Sequence, residues 1–177
     1  KKRYTFPVVA KRRSSFALDL VRLAIRNHIP TLAICGGMQS MNVACGGSLY
    51  QDIPAQVDHV LQHRQTTPAV RLSHSISITP GSLLNRIVKR ARMQVNSSHH
   101  QSVKAVGHAL IASATAPDGI VEAIELPTHP FFLGLQWHPE FAFGRHLLHR
   151  RLFQTFLRAA SRRPSLQPSP ARRRNNS

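Results

Sequence analysis

Cys35 is preceded by the apolar run Thr31-Leu32-Ala33-Ile34, followed by Gly36-Gly37, and continued by a segment with helical character from Met38 on. A short strand that turns sharply into a helix around one reactive residue has the layout of a nucleophile elbow. Such a turn demands small neighbours, and Ala33 and Gly37 are small. At the start of a helix the unpaired N–H groups and the dipole favour a thiolate over a thiol, and the thiolate is the nucleophile. The base it needs is on offer at His138-Pro139-Glu140, just after the apolar segment 131–137. Residues i and i+2 of an extended chain share a side. Glu140 is therefore placed to orient the His138 imidazole, and the imidazole to take the proton of Cys35. The bland alternative is a buried structural thiol and an ordinary surface turn. Elbow spacing on one side and the i+2 carboxylate on the other favour a Cys35-His138-Glu140 triad.

The elements must bring those residues together. A helix over 16–25, capped by Ser14 or Ser15, is predicted to bury one face through Phe16, Leu20, Leu23 and Ala24. Pro30 closes it, because the residue before a proline is pushed out of the helical region. Residues 31–34 then read as a buried strand, 39–44 as a short helix stopped by Gly46-Gly47, and 48–54 as a loop. The stretch 59–68 is polar and irregular, and the alternation of Val70, Leu72, Ile76 and Ile78 predicts a strand pair over 69–79. A short helix over 83–89, a strand starting at Met93 and a polar loop over 97–101 follow. Strands over 109–114 and 120–125 are joined at Pro117-Asp118-Gly119, and 131–137 forms a further strand. The segment 143–160 is amphipathic, with Phe153, Phe156 and Leu157 expected against the sheet. A strand over 4–10 is weakened by Pro7. In a parallel sheet the strands ending at Cys35 and His138 would both emerge at the carboxyl edge, where active sites of open α/β sheets lie.

Composition bounds the rest. The 177 residues, 42% of them hydrophobic, fit one domain with a core of its own. The expected organisation is a basic segment over 1–13, a folded domain over 14–160 and a disordered basic tail over 161–177, whose Arg, Pro, Ser and Asn cannot bury a core. Two cysteines make no disulfide framework and suit a reducing compartment such as the cytoplasm. No apolar run approaches the roughly 18 residues of a membrane span, and the N-terminus carries no secretory core. The charge is +17, from 24 Lys and Arg against 7 Asp and Glu, concentrated in 1–3, 11–13, 162–163 and 172–174 near the two ends. Nucleic acid is therefore not the expected partner of the centre, although a basic end could hold a polyanion. His59, His63 and His74 are scattered in sequence and Cys45 lacks a second ligand set, so neither metal nor cofactor is expected.

Four motifs together carry a resemblance. Ile29-Pro-Thr-Leu-Ala-Ile-Cys-Gly-Gly-Met-Gln39, Asn42-Val-Ala-Cys-Gly-Gly-Ser-Leu-Tyr-Gln-Asp-Ile53, Val95-Asn-Ser-Ser-His-His-Gln101 and Gly134-Leu-Gln-Trp-His-Pro-Glu140 resemble the class I glutamine amidotransferases. They are most similar to the γ-glutamyl-γ-aminobutyrate hydrolase branch, peptidase family C26. The likeness runs in order from about residue 16 to 156. It implies a flavodoxin-like α/β three-layer sandwich in which Cys35 is the nucleophile, His138 the base and Glu140 its orienting partner. It also implies a γ-glutamyl thioester hydrolysed by water, with Gly36 N–H in the oxyanion hole and Gln39, His99, His100 and Gln101 around a small γ-glutamyl substrate. A homo-oligomer, or a synthase supplied with ammonia, is the partner such families imply. The chain departs from the family in three ways: Ala33 replaces the usual glycine, the charge is unusually basic, and residues 1–13 hold no glycine. The family's upstream strands and glycine-rich loop, source of the second oxyanion donor, are thus expected to be missing. Loss of one such donor costs about 2.7–4 kcal/mol. An N-terminally truncated or non-catalytic member is the corresponding alternative.

Overall fold

The computed structural model describes residues 11–162; the expected strand over 4–10 and the basic tail beyond 162 lie outside the described residues. Helix α1 (Lys11–Arg26) leads into strand β1 (Thr31–Ile34), helix α2 (Gly36–Ala44), strand β2 (Ser48–Tyr50) and the short helix α3 (Ile53–Gln56). Strand β3 (His74–Ile78), helix α4 (Leu83–Val88) and strands β4 (Arg92–Val95), β5 (Ser102–Ala105), β6 (Ile111–Thr115), β7 (Val121–Glu125) and β8 (Phe132–Leu135) follow. Helices α5 (Pro139–Ala142) and α6 (Leu147–Ser161) complete the described chain.

One sheet runs β1-β8-β7-β6-β3-β4, with β5 bridging β7 and β2. Among the described strands only β1 and β8 pair in parallel, with Ile34 opposite Leu135; the other pairings are antiparallel. The tight turns among them are the ones that Gly and Asp signal, as at Asp118-Gly119 between β6 and β7, where Gly119 has φ +82°.

Alternation along the central strands splits the core in two. Leu133, Leu135 and Ala123 face α4 and α6 in a cluster with Ile76, Leu84, Val88, Trp137 and Leu152. Phe132 and Ile124 point the other way, to α1 and α2 through Val21, Ala24, Met38 and Met41. Helices on both faces of a mixed sheet make three layers, the flavodoxin-like arrangement. The layer of α2 lies unusually close to β8. A Cβ on Gly134 would fall 2.9 Å from Met38 Cγ and 3.0 Å from Ile124 Cγ1, so only glycine fits there. The N-terminus of α4 is closed twice: Ser82 Oγ accepts from Asn85 N–H at 3.0 Å, and the buried Glu125 carboxylate accepts from Leu83 N–H at 2.7 Å.

Several local expectations are corrected. Helix α1 starts at Lys11 and buries Val21 and Ala24; Phe16, Leu20 and Leu23 are 68%, 54% and 45% exposed. Among the described residues β1 lies at the end of the sheet, so there α1 has strand surface beneath only one of its stripes. The same edge position leaves Thr31, Leu32 and Ile34 half-buried. Residues 48–54 hold β2 and the start of α3, because β2 finds a partner in β5, a strand the sequence pattern did not show. The segment 69–79 holds one strand, β3 over 74–78, rather than a pair, since Arg71 N–H turns back to Pro68 O. Phe156 packs against Phe131, their ring centroids 5.7 Å apart, whereas Leu157 is 60% exposed on the outer side of α6.

Gly46, at φ +83°, ends α2, and the fully buried Asn42 ties that helix down. Its Nδ2 donates to Ser48 O and Ala105 O, each at 3.0 Å, while its Oδ1 accepts from Gly107 N–H at 2.8 Å. Asn42→Ala strands these three backbone groups in the interior and is expected to cost at least about 2 kcal/mol of unfolding free energy. Chemical denaturation reads this directly, and a loss below about 0.5 kcal/mol would refute the clamp.

Candidate active site

The parallel ladder sets the site. The Cys35 N–H donates to Leu135 O at 2.7 Å, the last bond between β1 and β8. The chain then turns into α2 with Cys35 at φ +48° and ψ −107°. A non-glycine residue in that region is strained, and strain of this sort is held in place only by surrounding structure. The support comes from β1 on one side and α2 on the other. A Cβ on Gly37 would sit 3.4 Å from that of Ala33, so small residues are needed where the strand and helix touch. Gly36, first in α2, has no acceptor within the helix for its N–H, and nothing lies within 4 Å of the position its Cβ would take.

His138 leaves the end of β8 beside that turn. Its Nδ1 lies 2.6 Å from Glu140 Oε1, a short charge-assisted hydrogen bond. Its pKa is raised to about 9, first by hydrogen bonding to Cys35; burial opposes this, and Glu140 adds to it. With Nδ1 engaged by Glu140, Nε2 is the nitrogen left for the sulfur. The three residues predicted to form the constellation are thus brought together.

Two residues that sequence reasoning left unassigned complete this arrangement. Asn96, buried, accepts from His138 N–H at 2.9 Å and donates to His138 O at 2.8 Å, fixing the backbone that carries the ring. Gln136, also buried, donates from Nε2 towards Cys35 Sγ at 3.6 Å. Two-residue alternation places Gln136 on the side of His138, a signal already present in Gln136-Trp137-His138. Gln39 donates from Nε2 to Gln136 Oε1 at 3.2 Å and to Gln101 O at 3.0 Å, joining α2 to the loop after β4.

That loop divides in two. His100 and Gln101 stay half-exposed, Gln101 donating from Nε2 to Gln51 Oε1 at 2.8 Å. Burial pushes the His100 pKa down, the Asp52 charge pulls against it, and Arg64 and His99 add to the lowering. His99 instead turns its side chain inward, 2% exposed, towards Glu122. A cleft of about 460 Å³ bounded by Asp52, His63, Arg64, His99 and His100 lies on this flank, and neither Cys35 nor His138 is among its lining residues.

The histidines expected to be scattered are not. His59 is exposed, but His63 and His74 meet at the buried Glu122 with ligand atoms within 4.8 Å of one another. Burial alone would raise the Glu122 pKa, yet its close contacts with His63, His74 and His99 outweigh it and hold the carboxyl below its ordinary range. Burial likewise depresses His63, and the carboxylates of Glu122 and Asp118 overcome it to raise the ring above its usual value. Separation in sequence hid this convergence, which depends on how β3 and β7 sit in the sheet. Among the described residues no helix is long and apolar enough to cross a membrane, and Cys35 and Cys45 are both free thiols.

Comparison with known proteins agrees with this geometry. The Peptidase C26 family model matches residues 3–140. A γ-glutamyl-γ-aminobutyrate hydrolase of Escherichia coli is 36% identical over 160 residues, covering 86% of this chain and 62% of the relative. The protein NtpR of Enterococcus hirae is 36% identical over 148 residues, covering 82% and 62%. The chain therefore spans about 60% of the length of the curated relatives it matches. Among solved structures, the glutaminase domain of Trypanosoma brucei CTPS with bound acivicin aligns with a TM-score of 0.63 at 21% identity, covering 92% of this chain and 71% of that one. A glutamine amidotransferase from Thermotoga maritima aligns with a TM-score of 0.56 at 16% identity, covering 88% and 67%. At such identities the likeness is one of fold, and it supports the glutamine amidotransferase-like architecture. With a family model matched over most of its length and relatives at 36% identity, the chain belongs to the peptidase C26 family.

Proposed function

We propose that this chain carries the catalytic centre of a cysteine-dependent hydrolase of γ-glutamyl amide bonds. The observation that supports it most is the juxtaposition of a strained Cys35 with a His138 held 2.6 Å from Glu140 and raised to a pKa of about 9 by its contact with Cys35. In this reading the Cys35 thiolate attacks the γ-carbonyl carbon of the substrate. The oxygen that becomes negative is met by the Gly36 N–H at the start of α2, where the helix dipole also favours negative charge. The His138 imidazolium gives its proton to the departing amine as the carbon–nitrogen bond breaks, leaving a γ-glutamyl thioester. Water then attacks the thioester, His138 takes the water's proton, and glutamate leaves as Cys35 is restored. Glu140 holds the ring in its working orientation throughout. Gln136 steadies the sulfur, and Gln39, His100 and Gln101 form the glutamyl-binding side.

Hydrolysis, with water as the acceptor, follows the name of the 36%-identical relative. Transfer of ammonia to a synthase partner is the competing outcome, and ammonia release that rises only when a synthase is added would favour it. Both cysteines are free, as a thiol enzyme of the cytoplasm requires.

Incubation with a glutamine-like electrophile should add one adduct at Cys35, seen by peptide mass spectrometry and abolished by Cys35→Ala. Absence of adduct on folded protein would remove the hydrolase reading. His138→Ala should lower kcat by about 10²–10⁴-fold, read on a γ-glutamyl amide substrate. The thiolate contact also has a signature in pH. The His138 ring should titrate near 9 by NMR and fall back towards 6.5 in Cys35→Ala, since Cys35 is the first cause of its elevation. Because the folded-state pKa lies above the unfolded one, the interaction stabilises the fold fully below about 6.5 and is lost as pH rises through about 9. An unchanged His138 titration in the variant would show that the ring and the sulfur do not interact.

A further inference from the structure

Behind the candidate active site four buried side chains from four segments converge on one point. They are His63 from the irregular stretch before β3, His74 at the start of β3, His99 from the loop after β4, and Glu122 of β7. Their side chains are 3%, 8%, 2% and 0% exposed. Glu122 Oε1 lies 3.3 Å from His63 Nδ1, 3.2 Å from His74 Nε2 and 3.5 Å from His99 Nε2. A single carboxylate oxygen therefore faces three ring nitrogens. All three distances exceed the roughly 2.7–2.9 Å of a charge-assisted N–H···O bond, and Glu122 Oε2 has no partner among the described residues.

The remaining ring nitrogens say how two of these rings are turned. His63 Nε2 lies 2.8 Å from Asp118 Oδ2, which accepts its proton. His99 Nδ1 donates to Gln101 O at 3.0 Å. A neutral imidazole has one N–H, so in the neutral form His63 Nδ1 and His99 Nε2 would aim lone pairs at an anionic oxygen unless a proton or a metal ion lies between. Neither of these two nitrogens has a hydrogen-bond partner. Lone pairs facing a carboxylate in a dry site repel unless a cation lies among them.

The spacing fits a metal ion better than protons. Ligands at about 2.0–2.1 Å around a tetrahedral zinc ion stand about 3.3 Å from one another, and Glu122 Oε1 stands 3.3 Å from His63 Nδ1 and 3.2 Å from His74 Nε2. The Asp118–His63 contact is the outer carboxylate that commonly orients a metal-binding imidazole. We infer that His63, His74 and Glu122, whose ligand atoms all lie within 4.8 Å of one another, form a binding site for one divalent transition-metal ion, zinc by its nitrogen and oxygen donors. Three protein ligands leave the fourth position of a tetrahedral ion to water. The site ties the long irregular stretch between α3 and β3 to the sheet. It also backs the active site, because Ser97 Oγ donates to His63 O at 2.7 Å and the adjacent Asn96 holds His138. The cleft lined by His63 and His99 gives an ion a way in.

The test uses the full chain carrying Cys35→Ala, which removes the half-exposed thiol as a competing ligand, stripped with chelator and dialysed against Zn²⁺. One retained ion per chain by elemental analysis is expected, with a Tm that rises with free Zn²⁺. Co²⁺ in its place should give the visible bands of a four-coordinate nitrogen and oxygen site, without thiolate charge transfer. Glu122→Gln and His74→Gln should lose the ion, whereas His59→Gln should keep it. Far-UV circular dichroism checks that each variant is folded, and His63→Gln supplies the same readout should Glu122→Gln not fold. No retained ion and a Tm indifferent to Zn²⁺ would show that protonated imidazoles alone balance Glu122, overturning the proposal. Equal retention by the folded His74→Gln and His63→Gln variants would also overturn it.

Discussion

One parallel ladder brings Cys35 and His138 together. Among the described strands, β1 and β8 are the only pair that run the same way, so their carboxyl ends stop side by side. Cys35 leaves one and His138 leaves the other, and two residues remote in sequence become neighbours without any loop having to reach. An antiparallel pairing of the same two strands would have put them at opposite edges. Everything else near the sulfur serves to keep that edge rigid: Asn96 on the His138 backbone, Gln136 beneath the thiol, Gln39 bridging to the neighbouring loop.

Rigidity matters here because the turn at Cys35 is held against its own preference. A left-handed conformation at a residue with a Cβ costs on the order of 1–3 kcal/mol and persists only where neighbours over-determine it. The ladder bond to Leu135 before the turn and the packed helix after it do so. The polar layer under the site is just as constrained. Asn42, Asn96 and Glu125 each spend their side-chain atoms on backbone groups, which is how buried polar residues repay their desolvation.

Much of this could be read from the sequence, and for physical reasons. The elbow is a local pattern of small residues around one cysteine, and the His138–Glu140 pair is local by strand periodicity, so neither needed long-range information. Asp118-Gly119 announced a turn through backbone and side-chain chemistry that acts over a few residues. What escaped was decided by pairing. Strand β5 is short and gains its identity from β2 and β7. The burial of α1 through Val21 and Ala24, rather than through Phe16 and Leu20, follows from β1 lying at the margin of the sheet that the described residues form. His63 and His74 looked dispersed along the chain because only the stacking of β3, β6 and β7 carries them to Glu122.

The missing side chain at Gly134 has a consequence beyond packing. Its vacancy is filled by Met38, three residues along the chain from the sulfur on the first turn of α2. Any bulk introduced at the centre of the sheet would therefore lift that end of the helix and tilt its N–H groups away from the Cys35 sulfur. Core packing and the pose of Cys35 share a fulcrum at this position, and selection for a tighter interior is bound there to selection for the geometry of that turn.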